Sequence, residues 1–408
     1  MAGKYVASPV AIEQGQLVAY AALTTMAMVP IYFGSHASLK KWKNIKDKSA
    51  TKAGDKESTE QDDVKSESLS IDDAITFPIF GSLGLVGLHL AYKHWDKAYI
   101  NYASTAYFTL VGILALAQVG VNTISPIVEM LGLHIEPYHI TLSRRTRDVY
   151  SAKFSVLHLS MMIVSILLSA YYAATKDWIA SNIFAVAIAL NGIQLLSLDS
   201  FKTGIALIVG FCLYEVAWAK YGAEILASVA KNMDAPLKVV FPWLIFRLPA
   251  GQTLLFAKFG LGDIVVPGLF AALCLRFDQH LAGNKNSALG RSTRFAKPYF
   301  IACLVAYLLG LGCSFYLEHT MQISLPMILY LGPACILSVF MTGSVRGQMQ
   351  NVFGYISEEG LEARAKRLAR IKSTQSKRRE PMRAPKVRLP AVIKEETFVP
   401  RGSPTDEE

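Results

Sequence analysis

From Phe154 to Ala174 the chain reads Phe-Ser-Val-Leu-His-Leu-Ser-Met-Met-Ile-Val-Ser-Ile-Leu-Leu-Ser-Ala-Tyr-Tyr-Ala-Ala, without one Asp, Glu, Lys or Arg. A run of about 20 mostly apolar residues is what a helix needs to cross a bilayer. Applied outward from here, the same criterion gives nine spans, at 15–33, 75–93, 101–132, 154–174, 178–198, 202–220, 251–275, 299–317 and 324–343. The third is overlong and is expected to kink or leave the bilayer near Pro126 and Glu129. The first lacks a basic leader and a small-residue cleavage site, which favours a retained span over a signal peptide. Composition agrees: 18% of residues are charged, against about 25% in soluble domains. The fold expected is an all-α polytopic membrane protein with nine transmembrane helices.

Charge is concentrated outside the spans. Residues 361–390 hold eleven Lys/Arg and two Glu, so much of the net charge of +10 belongs to a tail. That makes the basicity a poor argument for nucleic-acid binding, and none is expected. The basic connections follow odd-numbered spans: Arg144, Arg145, Arg147 and Lys153 after the third, Arg276 to Lys297 after the seventh. Basic loops stay cytosolic, so the N-terminus is expected in the lumen and the C-terminus in the cytosol. The chain then divides into a lumenal N-terminus and first span (1–34) and a disordered charged cytosolic loop (35–74). Spans two to five (75–200), spans six to nine (201–343) and a basic cytosolic tail (344–408) follow. The tail is expected to begin with a short basic helix, Leu361 to Ile371, and to touch anionic lipid headgroups. All five cysteines lie in apolar runs with no CxxC, so neither a metal site nor a disulfide framework is expected.

Ionisable residues inside spans are costly and mark function. His89 and His158 read as hydrogen-bonded bundle residues. Glu215 and Asp263 read differently. If span six enters near Lys202 and span seven leaves near Arg276, each acid lies about 20 Å from the same boundary. Antiparallel neighbours can then face the two carboxylates together. Two acids that close share a proton, which is either the water-activating arrangement of aspartic proteases or a polar pair lining a transporter cavity. Gly260 and Gly262, just before Asp263, permit a distorted backbone and close approach by another chain.

These residues carry a resemblance. Gly260-Leu-Gly-Asp263-Ile-Val-Val-Pro-Gly268, continuing to Leu275-Arg-Phe-Asp278, resembles the signature of the signal peptide peptidases, presenilin-type intramembrane aspartyl proteases. The stretches Trp178-Ile-Ala-Ser-Asn182, Leu190-Asn-Gly192, Ala235-Pro-Leu-Lys238, Phe241-Pro242 and Leu329-Tyr-Leu-Gly-Pro-Ala-Cys335 are also similar. The likeness runs in order from about residue 75 to 343, with one extra residue near Lys220.

Two of the three active-site motifs depart from that family. Its first catalytic acid lies in a Tyr-Asp pair, and here the pair is Tyr214-Glu215. Its Pro-Ala-Leu motif reads Pro326-Met327-Ile328. Lys258 also occupies a usually apolar position, from which its ammonium could modulate the dyad by favouring ionisation of both acids, or snorkel away. Glutamate displaces the carboxylate by about 1.5 Å, and errors near 1 Å cost about 100-fold in rate. Three readings follow: a working intramembrane protease, a pseudoprotease that binds membrane helices in quality control, or an active-site variant of a competent enzyme. A channel or transporter is a fourth.

The resemblance implies a mechanism in the cytosolic half of the bilayer or near its midplane. Asp263 would be the ionised base for water and Glu215 the acid for the scissile carbonyl. Tyr214 would bond across the site or merely pack. Pro326 would unwind the start of span nine, with Met327 and Ile328 lining an extended substrate. It also implies substrates among signal-peptide remnants and type II membrane helices, residence in the endoplasmic reticulum, and no cofactor. A homo-oligomer or a quality-control complex is a further expectation.

Overall fold

The computed structural model describes residues 9–39, 67–131, 138–144, 147–233, 236–243, 256–285, 295–321, 325–357, 360–365 and 367–369. Most of the expected charged loop (40–66) and the tail from 370 onward lie outside the described residues. Residues 360–365 and 367–369 are helical, where the short basic helix is expected. Residues up to Ala363 form one compact unit, and the rest belong to a second.

The helices are α1 (Pro9–Ala37), α2 (Ile71–His94), α3 (Lys97–Met130), α4 (Val156–Thr175), α5 (Trp178–Leu195), α6 (Phe201–Tyr221), α7 (Ala223–Asn232), α8 (Gly262–Lys285), α9 (Pro298–Met321), α10 (Ile328–Val345) and α11 (Met349–Gly354). Among the described residues, all except α7 and α11 are long and apolar enough to cross a membrane, which makes nine. Their outer faces suit lipid: Phe80, Leu83, Leu167 and Leu213 are all exposed. A water-soluble chain would bury such side chains. The overlong third span is one helix continuing through Pro126, about 51 Å long.

Three two-stranded sheets join this helical frame: β1 (Glu67–Leu69) with β4 (Leu196–Leu198), β2 (Tyr138–Arg144) with β3 (Arg147–Phe154), and β5 (Lys238–Pro242) with β6 (Phe256–Gly260). The first positions half of the site. β1 and β4 run parallel, and each leads directly into a helix through a serine N-cap. Ser70 starts α2, its N–H donating to Asp73 Oδ2 at 2.9 Å. Ser200 starts α6, its hydroxyl accepting from the Thr203 N–H at 3.4 Å. Such caps satisfy the first free amides of a helix. Launched side by side, α2 and α6 pack along their length, with Phe77 and Phe211 rings 5.4 Å apart and Trp218 Nε1 donating to Ser82 Oγ at 3.1 Å.

The connections fall on two faces, as nine crossings require. On one, Lys297 Nζ meets His36 Nε2 at 3.0 Å, and the Ser357 amide donates to the Asp199 carbonyl at 2.8 Å. On the other, the Tyr92 hydroxyl donates to Asn101 Oδ1 at 2.8 Å, and α1 meets the end of β5. The core is built around α8, whose buried residues include Phe270, Leu273, Cys274 and Phe277.

The α1–β5 junction depends on Gly15. A Cβ there would lie 1.9 Å from the Trp243 carbonyl oxygen, a backbone atom that cannot rotate away. Gly15→Ala is therefore expected to cost about 1–3 kcal/mol, the usual range for overpacking. Gly84→Ala, where nothing lies within 4 Å, should be neutral or slightly stabilising. Thermal unfolding of the detergent-purified pair measures the difference.

Candidate active site

Span seven differs from its sequence reading, and the difference shapes the site. The run 251–275 is not one helix: residues 256–260 are strand β6, and α8 begins only at Gly262. The apolar count merged them because alternate residues of β6 are apolar and buried. Ala257 and Phe259 are buried while Lys258 between them is exposed, the period of a strand. Gly260-Leu261-Gly262 is thus a strand-to-helix junction, and Asp263 sits in the first turn of α8.

Arg276 is buried at 7% exposure, with Nε 3.4 Å from Ser38 Oγ just past the end of α1, and α8 runs on to Lys285. Asp263 therefore stands about 33 Å of helix from that end, and Glu215 about 21 Å from Phe201. The acids nevertheless meet, because the bundle offsets the two helices. The Glu215 carboxylate is among the groups acting electrostatically on Asp263.

A third element closes the site. The N–H of Ile328, the first residue of α10, donates to the Asp263 carboxylate. The Ile328 carbonyl accepts from the Cys212 thiol of α6 at 3.6 Å. The Tyr307 hydroxyl of α9 donates to the Asp263 backbone carbonyl at 3.3 Å. A Cβ on Gly260 would lie 3.0 Å from Asp263 Oδ2, so glycine there keeps one face of the carboxylate open. Gly262 is exposed beside it. Cys212, Tyr307 and the Ile328 amide are absent from the sequence reading. Only Cys212, one turn before Glu215, could have been found from spacing.

Several expected roles change. The Tyr214 ring does not reach across to Asp263. It lies against Gly81 of α2, 3.7 Å from where a Cβ would stand, and between Phe211 and Trp218. That is the packing alternative. Lys258 is exposed on β6, and the groups acting on Asp263 are Glu215 and the Ile328 amide. Ile328 has a buried side chain, at 1% exposure, and cannot line a substrate with it. The turn after Pro326 is also less open than expected. The Pro326 carbonyl accepts from Leu329, and that of Met327 from Tyr330 and Leu331. Pro326 and Met327 remain partly exposed, and Met327 packs against the core.

The family model described as Signal peptide peptidase matches residues 60–359. Human signal peptide peptidase is 32% identical over 358 residues, 85% of each chain. The mouse protein of that name is 32% identical over 377 residues, 90% of this chain and 91% of its own. A probable intramembrane protease of Schizosaccharomyces pombe is 31% identical over 285 residues, 70% of this chain and 83% of its own. With nine membrane-crossing helices and two acids brought together between α6 and α8, the chain belongs to the signal peptide peptidase family of intramembrane proteases.

Proposed function

We propose that this chain is an aspartic-type endopeptidase that cleaves signal-peptide remnants and type II membrane helices within the endoplasmic reticulum membrane. The observation that carries the reading is the convergence of Glu215, Asp263 and the α10 N-terminus on one point. Asp263 accepts an amide N–H, a bond that suits a carboxylate acting as base. It takes a proton from water as the water oxygen attacks the scissile carbonyl carbon. Glu215, half-buried and without such a donor among the described residues, gives its proton to the carbonyl oxygen. No step calls for a metal or an organic cofactor.

A helical substrate offers no free carbonyl, so it must be drawn out before cleavage. Strand β6 ends three residues before Asp263, and its outer edge supplies main-chain groups for an extended segment. Pro326 and Met327 face the same space, with Met327 adding bulk where the family has alanine. The basic connections support an orientation with the N-terminus in the lumen and the C-terminus in the cytosol. One observation favours a second reading: the longer acid at 215 fits a pseudoprotease that retains helix binding without turnover, within a quality-control assembly.

The test is cleavage of a signal-peptide substrate by the purified protein beside Asp263→Ala. Activity above that background supports the protease; binding without cleavage supports the second reading. Met327→Ala should raise kcat/KM by about tenfold or more for substrates bulky at the scissile bond, since a single methylene in a pocket is already worth about 10–200-fold, and leave small-residue substrates unchanged.

A further inference from the structure

Asn182, in the second turn of α5, is a buried amide at 6% exposure that behaves like a strand. Its Nδ2 donates to the Val240 carbonyl at 2.7 Å, and its Oδ1 accepts from the Val240 N–H at 2.9 Å. Val240 pairs with Lys258 across the sheet. Since both main-chain groups of Val240 point to Asn182, Val240 and Lys258 are a non-hydrogen-bonded pair.

The rest of the sheet follows by alternation. Val239–Phe259 and Phe241–Ala257 are the bonded pairs, while Lys238–Gly260 and Pro242–Phe256 are not. Pro242, which has no N–H, stands where none is needed for the ladder. The N–H and C=O groups of Phe256, Lys258 and Gly260 therefore point out of the far edge of β6, and no described residue bonds them. One edge of the sheet is closed by a side chain; the other, among the described residues, is unpaired and leads to Asp263. Trp178, one turn before Asn182, braces both strands, its ring 5.8 Å from Phe241 and 6.4 Å from Phe256.

We propose that Asn182 is a positioning residue for substrate: by occupying the β5 edge and pinning Val240, it directs an incoming extended segment to the β6 edge in one register relative to Asp263. This rests on the reading above, that the chain binds membrane segments in extended form beside the dyad. Register matters because a slip of one residue turns every side chain to the opposite face. It also carries a different peptide bond to the acids. A merely structural amide would stabilise the sheet without determining which substrate residue faces Lys258.

Oxidative cysteine crosslinking reads the register without needing turnover. Full-length protein carrying Asp263→Ala and either Lys258→Cys or Val240→Cys is mixed in detergent with a type II membrane-helix peptide. The peptide carries a single cysteine, walked along its sequence, and protein without the added cysteine gives the blank. With Asn182 intact, crosslinks to Lys258→Cys should fall on alternate peptide positions, and Val240→Cys should give only the blank. Asn182→Ala should raise the yield at Val240→Cys by about tenfold, the discrimination of one or two hydrogen bonds, and spread the Lys258→Cys pattern to intervening positions. Should that variant not fold, Asn182→Asp keeps the acceptor for the Val240 N–H, loses the Nδ2 donor, and should show a partial spread. An unchanged pattern in the variant that folds overturns the role of Asn182 while leaving extended binding at β6 standing. No crosslink at either site with Asn182 intact overturns extended binding, and this proposal with it.

Discussion

Replacing Glu215 by aspartate is expected to raise the rate of substrate cleavage by about 100-fold, the scale of a 1 Å error in a catalytic array. The shorter side chain withdraws the carboxylate towards α6 by about 1.5 Å. Asp263 is held on the other side by the Ile328 amide and by the fixed first turn of α8, so the mismatch is not absorbed by moving the partner. The measurement is kcat on a signal-peptide substrate for the parent, Glu215→Asp and Asp263→Ala. A parent at the Asp263→Ala background beside an active Glu215→Asp would establish the pseudoprotease. Equal, low rates in all three would remove the pair from catalysis. A gain confined to KM would mean that residue 215 shapes binding and not proton transfer.

The second large effect concerns a different acid. Asp278, 2% exposed, is part of the signature that follows Asp263, yet it lies on the opposite face of the bundle from the dyad. Its Oδ2 accepts from the Phe300 N–H at 2.9 Å and its Oδ1 from the Tyr299 N–H at 3.3 Å. Both amides belong to the first turn of α9, so α8 caps its neighbour. Lys297 and Arg346 act on the same carboxylate. Asp278→Ala leaves two buried amides without an acceptor and two cations without a counter-charge. The expected loss is about 3 kcal/mol, combining a lost cap with unsatisfied buried donors. Asp278→Asn, which keeps one acceptor, should lose less. Thermal unfolding in detergent checks the order. A transition-state analogue should still bind the folded fraction of either variant with parental affinity, because the dyad is remote.

The nine crossings were legible from apolar runs alone, since lipid demands about 20 apolar residues whatever the packing. The pairing of Glu215 with Asp263 was also legible, from matching residue counts along antiparallel neighbours. Strand β6 was hidden for a related reason: a hydropathy count sums apolar residues and ignores their period. Lys258 was the local sign of a strand, an exposed residue between buried neighbours, but an isolated lysine in an apolar run reads equally as a perturbation of the site. Asn182 stands in a stretch that resembles the family, but its clamp on Val240 was not legible, because it joins residues 58 apart through a side chain acting as backbone.

The donor that reaches Asp263 from α10 belongs to the main chain. Every amino acid except proline can supply that proton, so the identity of residue 328 is nearly irrelevant to the bond. What must be preserved is the shape of the turn, and Pro326, with its fixed φ, contributes to that shape. A motif whose spelling has drifted to Pro326-Met327-Ile328 can therefore keep its electrostatic office intact while its steric character changes. Divergence at this site is freer to retune which side chains are admitted than to alter how the acid is held.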